Sequence, residues 1–307
     1  MNITLKQLSY FIALTEQRNF GRAAQVVHIS QPALSVQIRS MEAELGQALV
    51  ERQARDIVLT PFGRLILAHA RRVLAEVQGL KQAARWQGGL KGQLSLGVIP
   101  TIAPYILPAA LEALRGADVS LDVEITEAKT DQLIAALRAG HLDAALMALP
   151  SGAGGLLEQP LFKDRFVLAG SAQRMAELGA GADKLRPDEL GNSALLLLED
   201  GHCLTDQALD ICGRGRGHGR INMGASSLAT LSKLVAAGFG LTLLPELAIN
   251  SESRAAPGMI LRRFASPEPA RQIGLVRRET TGDEGWFQDL AVVLRDVGRG
   301  LTAQVRG

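Results

Sequence analysis

Residues 19–46 read NFGRAAQVVHISQPALSVQIRSMEAELG, and they carry the signals of two helices joined by a tight turn. Asn19 and Ser30 are residue types that cap helices, and a proline at Pro32, in the first helical turn, costs no hydrogen bond. Gly46 is the expected stop of the second helix. Because another amphipathic helix precedes this stretch, the sequence predicts a helix-turn-helix.

A wing and a long helix are predicted next. Leu49–Arg52 and Asp56–Leu59 have the pattern of two short strands, and Thr60 is the expected cap of the following helix. That helix meets no breaker before about Gly79, and it continues at most to Trp86. It is apolar on more than one stripe, so we expect it to pair with the same helix of a second subunit rather than pack only on its own domain.

Beyond residue 92 the predicted strands and helices alternate, which is typical of a parallel, doubly wound sheet. Gly213–Gly219, rich in glycine and arginine, predicts a mobile loop. The strands are predicted at 93–99, 120–126, 143–149, 166–170, 194–198, 221–223, 241–244 and 271–277, and the helices at 104–115, 130–139, 204 onward, 227–237 and 286–297.

The predicted fold class is therefore α plus α/β. A winged helix-turn-helix occupies residues 1–60, a linker and dimerisation helix residues 61–86, and a hinge residues 87–92. Residues 93–307 form a two-lobed α/β regulatory domain like a periplasmic binding protein. We expect one lobe to comprise 93–169 plus 271–307 and the other 170–270, with a cleft between them.

The charge distribution points to nucleic acid. Residues 1–90 contain 11 Lys/Arg and 6 Asp/Glu, a balance of +5, whereas residues 91–307 contain 22 and 25, a balance of −3. A basic head on a slightly acidic body fits phosphate binding at one end. We find no signal peptide and no apolar run long enough to span a bilayer, so the sequence predicts a cytoplasmic protein without membrane contact. It suggests no metal site and no cofactor.

The N-terminal end of the third helix is the candidate base reader, because such a helix enters the major groove. Glutamine can pair with adenine and arginine with guanine, and small apolar side chains can contact thymine methyl groups. The candidate DNA-binding residues on or beside this helix are Ser30, Gln31, Pro32, Ala33, Ser35, Gln37 and Arg39. Four arginines clustered around it are candidates for phosphate contacts, namely Arg22, Arg52, Arg55 and Arg64.

Several of these motifs resemble the LysR-type family of transcription regulators. The similar stretches are Phe20–Ala24, Ser30–Ser35, Leu45–Gly46, Glu51–Arg52 and Leu59–Gly63, and the likeness runs without a gap to about residue 85. The resemblance implies a head that dimerises through the linker helix. It further implies two dimers forming a tetramer on an interrupted palindrome of double-stranded DNA, with RNA polymerase as a partner.

The regulatory domain is similar to the peroxide-sensing members of that family. Gly97–Ile102 and Gly240–Pro245 share their pattern, and the most diagnostic segment is Leu196–Leu209, LLLEDGHCLTDQAL, which includes Asp206. The resemblance implies that Cys203 is the peroxide-reacting thiol and Cys212 the resolving thiol. It also implies that Thr101, Thr130 and His202 lie near Cys203, and that Arg271 matches a family arginine.

The residues around Cys203 support such chemistry. A helix is predicted to start directly after it, and a helix N-terminus with a neighbouring imidazole at His202 favours thiolate over thiol. If residues 204–211 are helical, the rise of ~1.5 Å per residue separates the two sulfurs by roughly 13 Å. A disulfide needs Cα atoms within about 7 Å, so the helix must unwind before Cys203 and Cys212 can join.

Other interpretations stay open. The family usually has arginine where this chain has Thr205, which puts the peroxide sensitivity in doubt, and Thr101 and Thr130 also suit helix N-capping. Both cysteines could be inert buried residues, in a regulator whose cleft binds a small-molecule inducer. Alternatively, Cys203 and His202 could be the catalytic pair of a thiol peroxidase or hydrolase, against which the DNA-binding head argues.

Overall fold

The structure is a computed structural model, and it describes residues 2–52, 57–83, 92–117, 121–178, 185–190, 193, 195–213, 225–281 and 285–306. The chain divides into two compact units. The first comprises Met1–Ala84 together with Arg138–His141, and the second comprises Arg85–Leu137 and Leu142–Gly307. Among the described residues, no helix is both long and apolar enough to cross a membrane.

The head of the first unit has three helices and a two-stranded wing. They are α1 Leu5–Gln17, α2 Phe20–Val26, α3 Gln31–Leu45, β1 Val50–Arg52 and β2 Ile57–Leu59. The side chains of Thr4, Asn19 and Ser30 each accept a hydrogen bond from a backbone N–H three residues later, so all three helices start where their capping residues predict. Gly46, with φ at 75°, ends α3 in the left-handed conformation.

The long helix α4 spans Pro61–Ala83. Thr60 Oγ1 accepts from the backbone N–H of Gly63 at 2.8 Å, which is the predicted cap. A Cβ atom on Gly63 would overlap the carbonyl of Leu49, so glycine lets the first turn of α4 lie directly against the wing. The predicted wing turn at residues 53–55 lies outside the described residues.

Apart from Arg138 and Ala139 at the end of α6, the second unit contains the remaining elements, and most of those that were predicted begin and end within two residues of their predicted bounds. Its helices are α5 Ala103–Ala117, α6 Thr130–Ala139, α7 Ala172–Glu177, α8 Cys203–Ile211, α9 Leu228–Ala236, α10 Glu246–Ala255 and α11 Trp286–Gln304. Its strands are β3 Gln93–Val98, β4 Asp122–Glu127, β5 Ala144–Leu149, β6 Leu156–Ser171, β7 Thr242–Pro245, β8 Met259–Arg263 and β9 Ala270–Arg278.

The sheet is mixed, so the prediction of a parallel, doubly wound sheet is confirmed for its first three strands and wrong for the rest. Among the described strands, only β3 pairs in parallel, with β4 and β5. Strand β9 returns antiparallel between β5 and β6, and β6 pairs antiparallel with β7 and β8. Strand direction depends on connections that alternation alone does not reveal, because a late strand can return into an early sheet.

Two core clusters define two lobes, and β6 runs through both. The first lobe packs around β3, β5, β9, α5, α6 and α11, with Trp286 and Phe287 in its interior. The second lobe packs around β7, the C-terminal part of β6, α8 and α9. At the predicted strand 194–198 the described residues form only isolated bridges, at Leu195 and Leu198. The predicted strand 221–223 and residues 214–219 of the predicted loop lie outside the described residues.

Candidate functional site

Cys203 is the first residue of α8, at the boundary between the lobes. Its helix belongs to the second lobe, where Leu204, Ala208 and Cys212 are buried, yet Cys203 itself packs against the core of the first lobe. Cys203 is half-buried, Cys212 is buried, and both are free thiols. Cys212 caps the C-terminal end of the same helix, so the nine residues of α8 hold the two thiols apart.

A lysine of the first lobe holds the segment that leads into Cys203. Lys129 Nζ donates to Glu199 Oε1 at 2.9 Å and to the carbonyl oxygen of Asp200 at 3.0 Å. Its stem lies over Gly201, whose φ of 93° favours glycine. The sequence contained no signal for this contact, because it joins residues 70 positions apart.

His202, the imidazole next to Cys203 in the sequence, is held close to Glu199. Its side chain is buried, and its Nε2 lies 3.9 Å from Glu199 Oε1. Burial, and secondly the charge of Lys129, lower the pKa of His202 below its usual value, whereas Glu199 raises it. A lowered pKa favours the neutral form of the imidazole. The N-terminus of α8, the other feature that the sequence suggested, favours thiolate at Cys203.

We expect Lys129→Met to raise the pKa of His202, because the variant loses a repelling cation and leaves Glu199 free to stabilise the imidazolium. NMR titration of the imidazole signals measures this shift, with His202→Asn identifying the resonance. Lys163→Met, a change of an exposed lysine elsewhere in the same domain, is the matched control. A His202 pKa that stays constant in Lys129→Met would contradict this account of its environment.

Thr205, which replaces the arginine usual in the resembled family, points into the second lobe. It is 2% exposed, and its Oγ1 donates to the carbonyl of Leu198 at 2.9 Å. The hydroxyl therefore ties the start of α8 to the segment before it. Asp206, one residue further along, is half-buried.

Arg271 was predicted to line the peroxide site, and the structure shows it inside a buried network. Its Nε donates to Asp164 Oδ2 at 2.9 Å, Nη1 to Thr101 Oγ1 at 2.9 Å, and Nη2 to the Thr101 carbonyl at 3.1 Å. The Arg271 and Asp164 side chains are 0% exposed. Arg271 therefore orients Thr101, and the sequence did not reveal Asp164.

Helix N-capping, the alternative role considered for Thr101 and Thr130, does not fit the positions of these two residues. Thr130 is the first residue of α6 rather than the residue before it, and Thr101 lies two residues ahead of α5. The hydroxyl of Thr101 instead accepts a hydrogen bond from Arg271.

The candidate recognition helix α3 has a buried and an open face. Leu34, Ile38 and Met41 are 0% exposed and face the core of the head. Gln31, Pro32, Ala33, Val36 and Arg39 are exposed to solvent, while Ser35 and Gln37 are half-buried. Ser30 caps the helix. Arg22 and Arg64 are exposed, whereas Arg55 and the side chain of Arg52 lie outside the described residues.

Apolar side chains on α4 are left open to solvent. Leu65 is 56% exposed, Val73 43% and Leu80 72%, although the helix also buries Ala70 and Ala75. Large apolar side chains at this spacing on one helix are typical of an interaction surface.

Two family matches define the class of protein. Residues 5–64 match the bacterial regulatory helix-turn-helix protein of the lysR family, and residues 87–297 match the LysR substrate binding domain. The chain belongs to the LysR family of bacterial transcription regulators, whose members bind DNA and form oligomers.

Within this family the chain is similar to OxyR proteins. It is 40% identical to the DNA-binding transcriptional dual regulator OxyR of Escherichia coli, over 95% of each chain. It is also similar to a cysteine-to-serine variant of Corynebacterium glutamicum OxyR solved with H2O2 bound, at 38% identity and a TM-score of 0.66, with 100% of this chain and 97% of that chain covered. Full-length OxyR of Pseudomonas aeruginosa, solved as a cysteine-to-aspartate variant, has 33% identity and a TM-score of 0.70, covering 96% and 98%.

Proposed function

We propose that this chain senses hydrogen peroxide through Cys203 and thereby activates antioxidant genes. The proposal is based chiefly on the half-buried Cys203 thiol at the N-terminus of α8. A second free thiol, Cys212, lies at the other end of the same helix. The similarity to peroxide-inducible OxyR activators supports the proposal.

The proposed reaction balances with peroxide as the only oxidant. The Cys203 thiolate attacks one peroxide oxygen, the O–O bond breaks, and hydroxide leaves to become water after taking up a proton. Cys203 is then a sulfenic acid. The Cys212 thiol attacks its sulfur, the S–O bond breaks, and a second water leaves as the disulfide forms. Both thiols together have lost two electrons to the peroxide.

The disulfide step requires α8 to unwind. Nine helical residues hold the cysteine Cα atoms roughly 13 Å apart at ~1.5 Å per residue, well beyond the reach of a disulfide. Cys212 must also leave the core of the second lobe. The covalent bond therefore selects between two arrangements of α8, and we propose that this rearrangement changes the DNA-binding form of the oligomer.

For the head, we propose that α3 reads base edges of an interrupted palindrome while Arg22, Arg52, Arg55 and Arg64 contact phosphates. The open face of α3 and its capped N-terminus support this assignment. Contact with RNA polymerase follows from the proposed activator function.

Gln31→Ala is expected to cost ~1–3 kcal/mol of binding free energy at the cognate site, because a glutamine pairs with a base edge through two hydrogen bonds. Fluorescence anisotropy with cognate and random duplexes measures the difference. Gln25→Ala, which changes an exposed glutamine on α2, should leave both affinities unchanged. Equal losses on cognate and random DNA would show that Gln31 does not read bases.

Val73→Asp is expected to break the subunit contact that we assign to α4. Val73 lies in its exposed apolar stripe, and pairing with a second α4 would bury the introduced charge. Sedimentation velocity should then detect smaller assemblies than the wild type forms. Val26→Asp, at a valine of α2 that is also exposed to solvent, is the control. An unchanged mass distribution with the fold intact would place the dimer contact elsewhere.

A further inference from the structure

A basic groove crosses the surface of the first lobe, and Cys203 is not among its lining residues. It has a volume of about 570 Å³ and lies between β6, β9 and α11. Its basic lining residues are Lys163, Arg165, Arg295, Arg299 and Arg306, and the lining includes no acidic residue. The rest of the wall is Gln272, Thr302 and small or apolar side chains. This concentration of positive charge is local, because residues 91–307 as a whole carry a balance of −3.

The chain neutralises only part of this charge. Arg306 binds both oxygens of the buried Glu246, at 3.0 and 2.7 Å, and Arg165 pairs with Glu268 at 3.2 Å. Among the described residues, no ion pair involves Lys163, Arg295 or Arg299. Arg295 and Arg299 are four residues apart on α11, a spacing at which like charges repel. An anion in the groove would relieve that repulsion.

The register between β6 and β9 places the groove and the buried Asp164–Arg271 pair on different faces of the sheet. Lys163 is paired with Gln272 across β6 and β9, and both line the groove. The next pair, Asp164 with Arg271, forms the buried ion pair beside Thr101. Because side chains alternate between the faces of a strand, the two pairs lie on opposite sides of the same ladder.

We propose that the basic groove binds a small, multiply charged phosphate anion, of the size of a nucleotide's oligophosphate chain. Several guanidinium groups spread along a concave wall fit phosphate oxygens, which accept two parallel hydrogen bonds from each arginine. The volume lies in the range of small-molecule sites. This site does not depend on the proposed peroxide chemistry.

Isothermal titration of the reduced, full-length protein with tripolyphosphate tests the proposal. The double variant Arg295→Gln with Arg299→Gln should bind this probe about tenfold or more weakly, since it loses charge-assisted hydrogen bonds. Arg115→Gln, which removes one exposed arginine of α5 outside the groove, should bind like the wild type. Sulfate should bind more weakly than tripolyphosphate, because it cannot span the groove.

Operator affinity distinguishes a free anion from the DNA backbone as the source of phosphate. We expect the double variant to bind operator DNA as the wild type does. The proposal is overturned if the double variant keeps its tripolyphosphate affinity, or if only its affinity for operator DNA falls.

Discussion

Cys203→Ser is expected to abolish the response to peroxide, leaving the protein in its reduced form. A serine hydroxyl is neither appreciably ionised nor oxidisable under these conditions, so no sulfenic acid forms and α8 keeps its helical arrangement. After equimolar peroxide, mass spectrometry should detect no bridged peptide, and the DNA footprint should stay that of the reduced protein. Wild-type protein under the same treatment should contain the Cys203–Cys212 disulfide and give a different footprint.

Cys212→Ser separates the two thiol roles and serves as the matched variant. Cys203 should still react, but without a resolving thiol its peptide should gain oxygen as a sulfenic acid or a more oxidised product. Replacing a buried cysteine with serine introduces a hydroxyl in the second lobe, so thermal unfolding must first establish that this variant is folded.

If a reporter gene still responds to peroxide in the Cys203→Ser variant, the redox proposal is wrong. It is also wrong if the oxidised wild type contains no Cys203–Cys212 disulfide. The regulator would then respond to a small-molecule inducer, as the alternative interpretation holds. Many turnovers of peroxide per chain with a thiol reductant would instead favour a peroxidase with Cys203 and His202 as its pair. A sensor consumes one peroxide for each disulfide.

The parts of the fold that local chemistry determines were predictable. Thr4, Asn19, Ser30 and Thr60 cap their helices through hydrogen bonds that span three residues, so the signal for each lies beside the helix. The start of α8 was likewise predicted to within one residue. Cys203 could be singled out because it lies within a contiguous motif, Leu196–Leu209, and Cys212 follows shortly after that motif.

Contacts between distant segments could not be predicted from one sequence. Lys129 meets Glu199 across 70 positions, and Arg271 meets Asp164 across 107. Nothing near Asp164 in the sequence distinguishes it from the exposed acidic residues. The return of residues 271–277 to the first lobe was predicted, but the antiparallel direction of β9 and β6 was missed, because the local pattern of a strand does not encode its direction. His202 could be identified from the sequence as a neighbour of Cys203. The lowering of its pKa, however, depends on burial and on Lys129, which only the fold brings close.

The buried pair of Asp164 and Arg271 leads to the second large expected effect. Asp164 also accepts the backbone N–H of Leu247 at 3.1 Å, so it joins β6 and β9 to the start of α10. Removing one member of a buried pair leaves an uncompensated charge, which costs about 3–5 kcal/mol. Arg271→Met should therefore lower the free energy of unfolding by about that amount. Urea unfolding followed through the fluorescence of Trp286, in a Trp86→Phe background, measures the change.

The double variant Asp164→Leu with Arg271→Met removes both charges and should recover much of the lost stability, because well-packed apolar residues often replace a buried ion pair at little cost. It does not restore the hydrogen bonds from Arg271 to Thr101. If Arg271 positions the Thr101 hydroxyl for peroxide, the double variant should be stable and yet oxidise Cys203 more slowly than the wild type. Stopped-flow oxidation of the double variant and of Thr101→Val compares the two. A stable double variant with wild-type oxidation kinetics would mean that Arg271 serves stability alone.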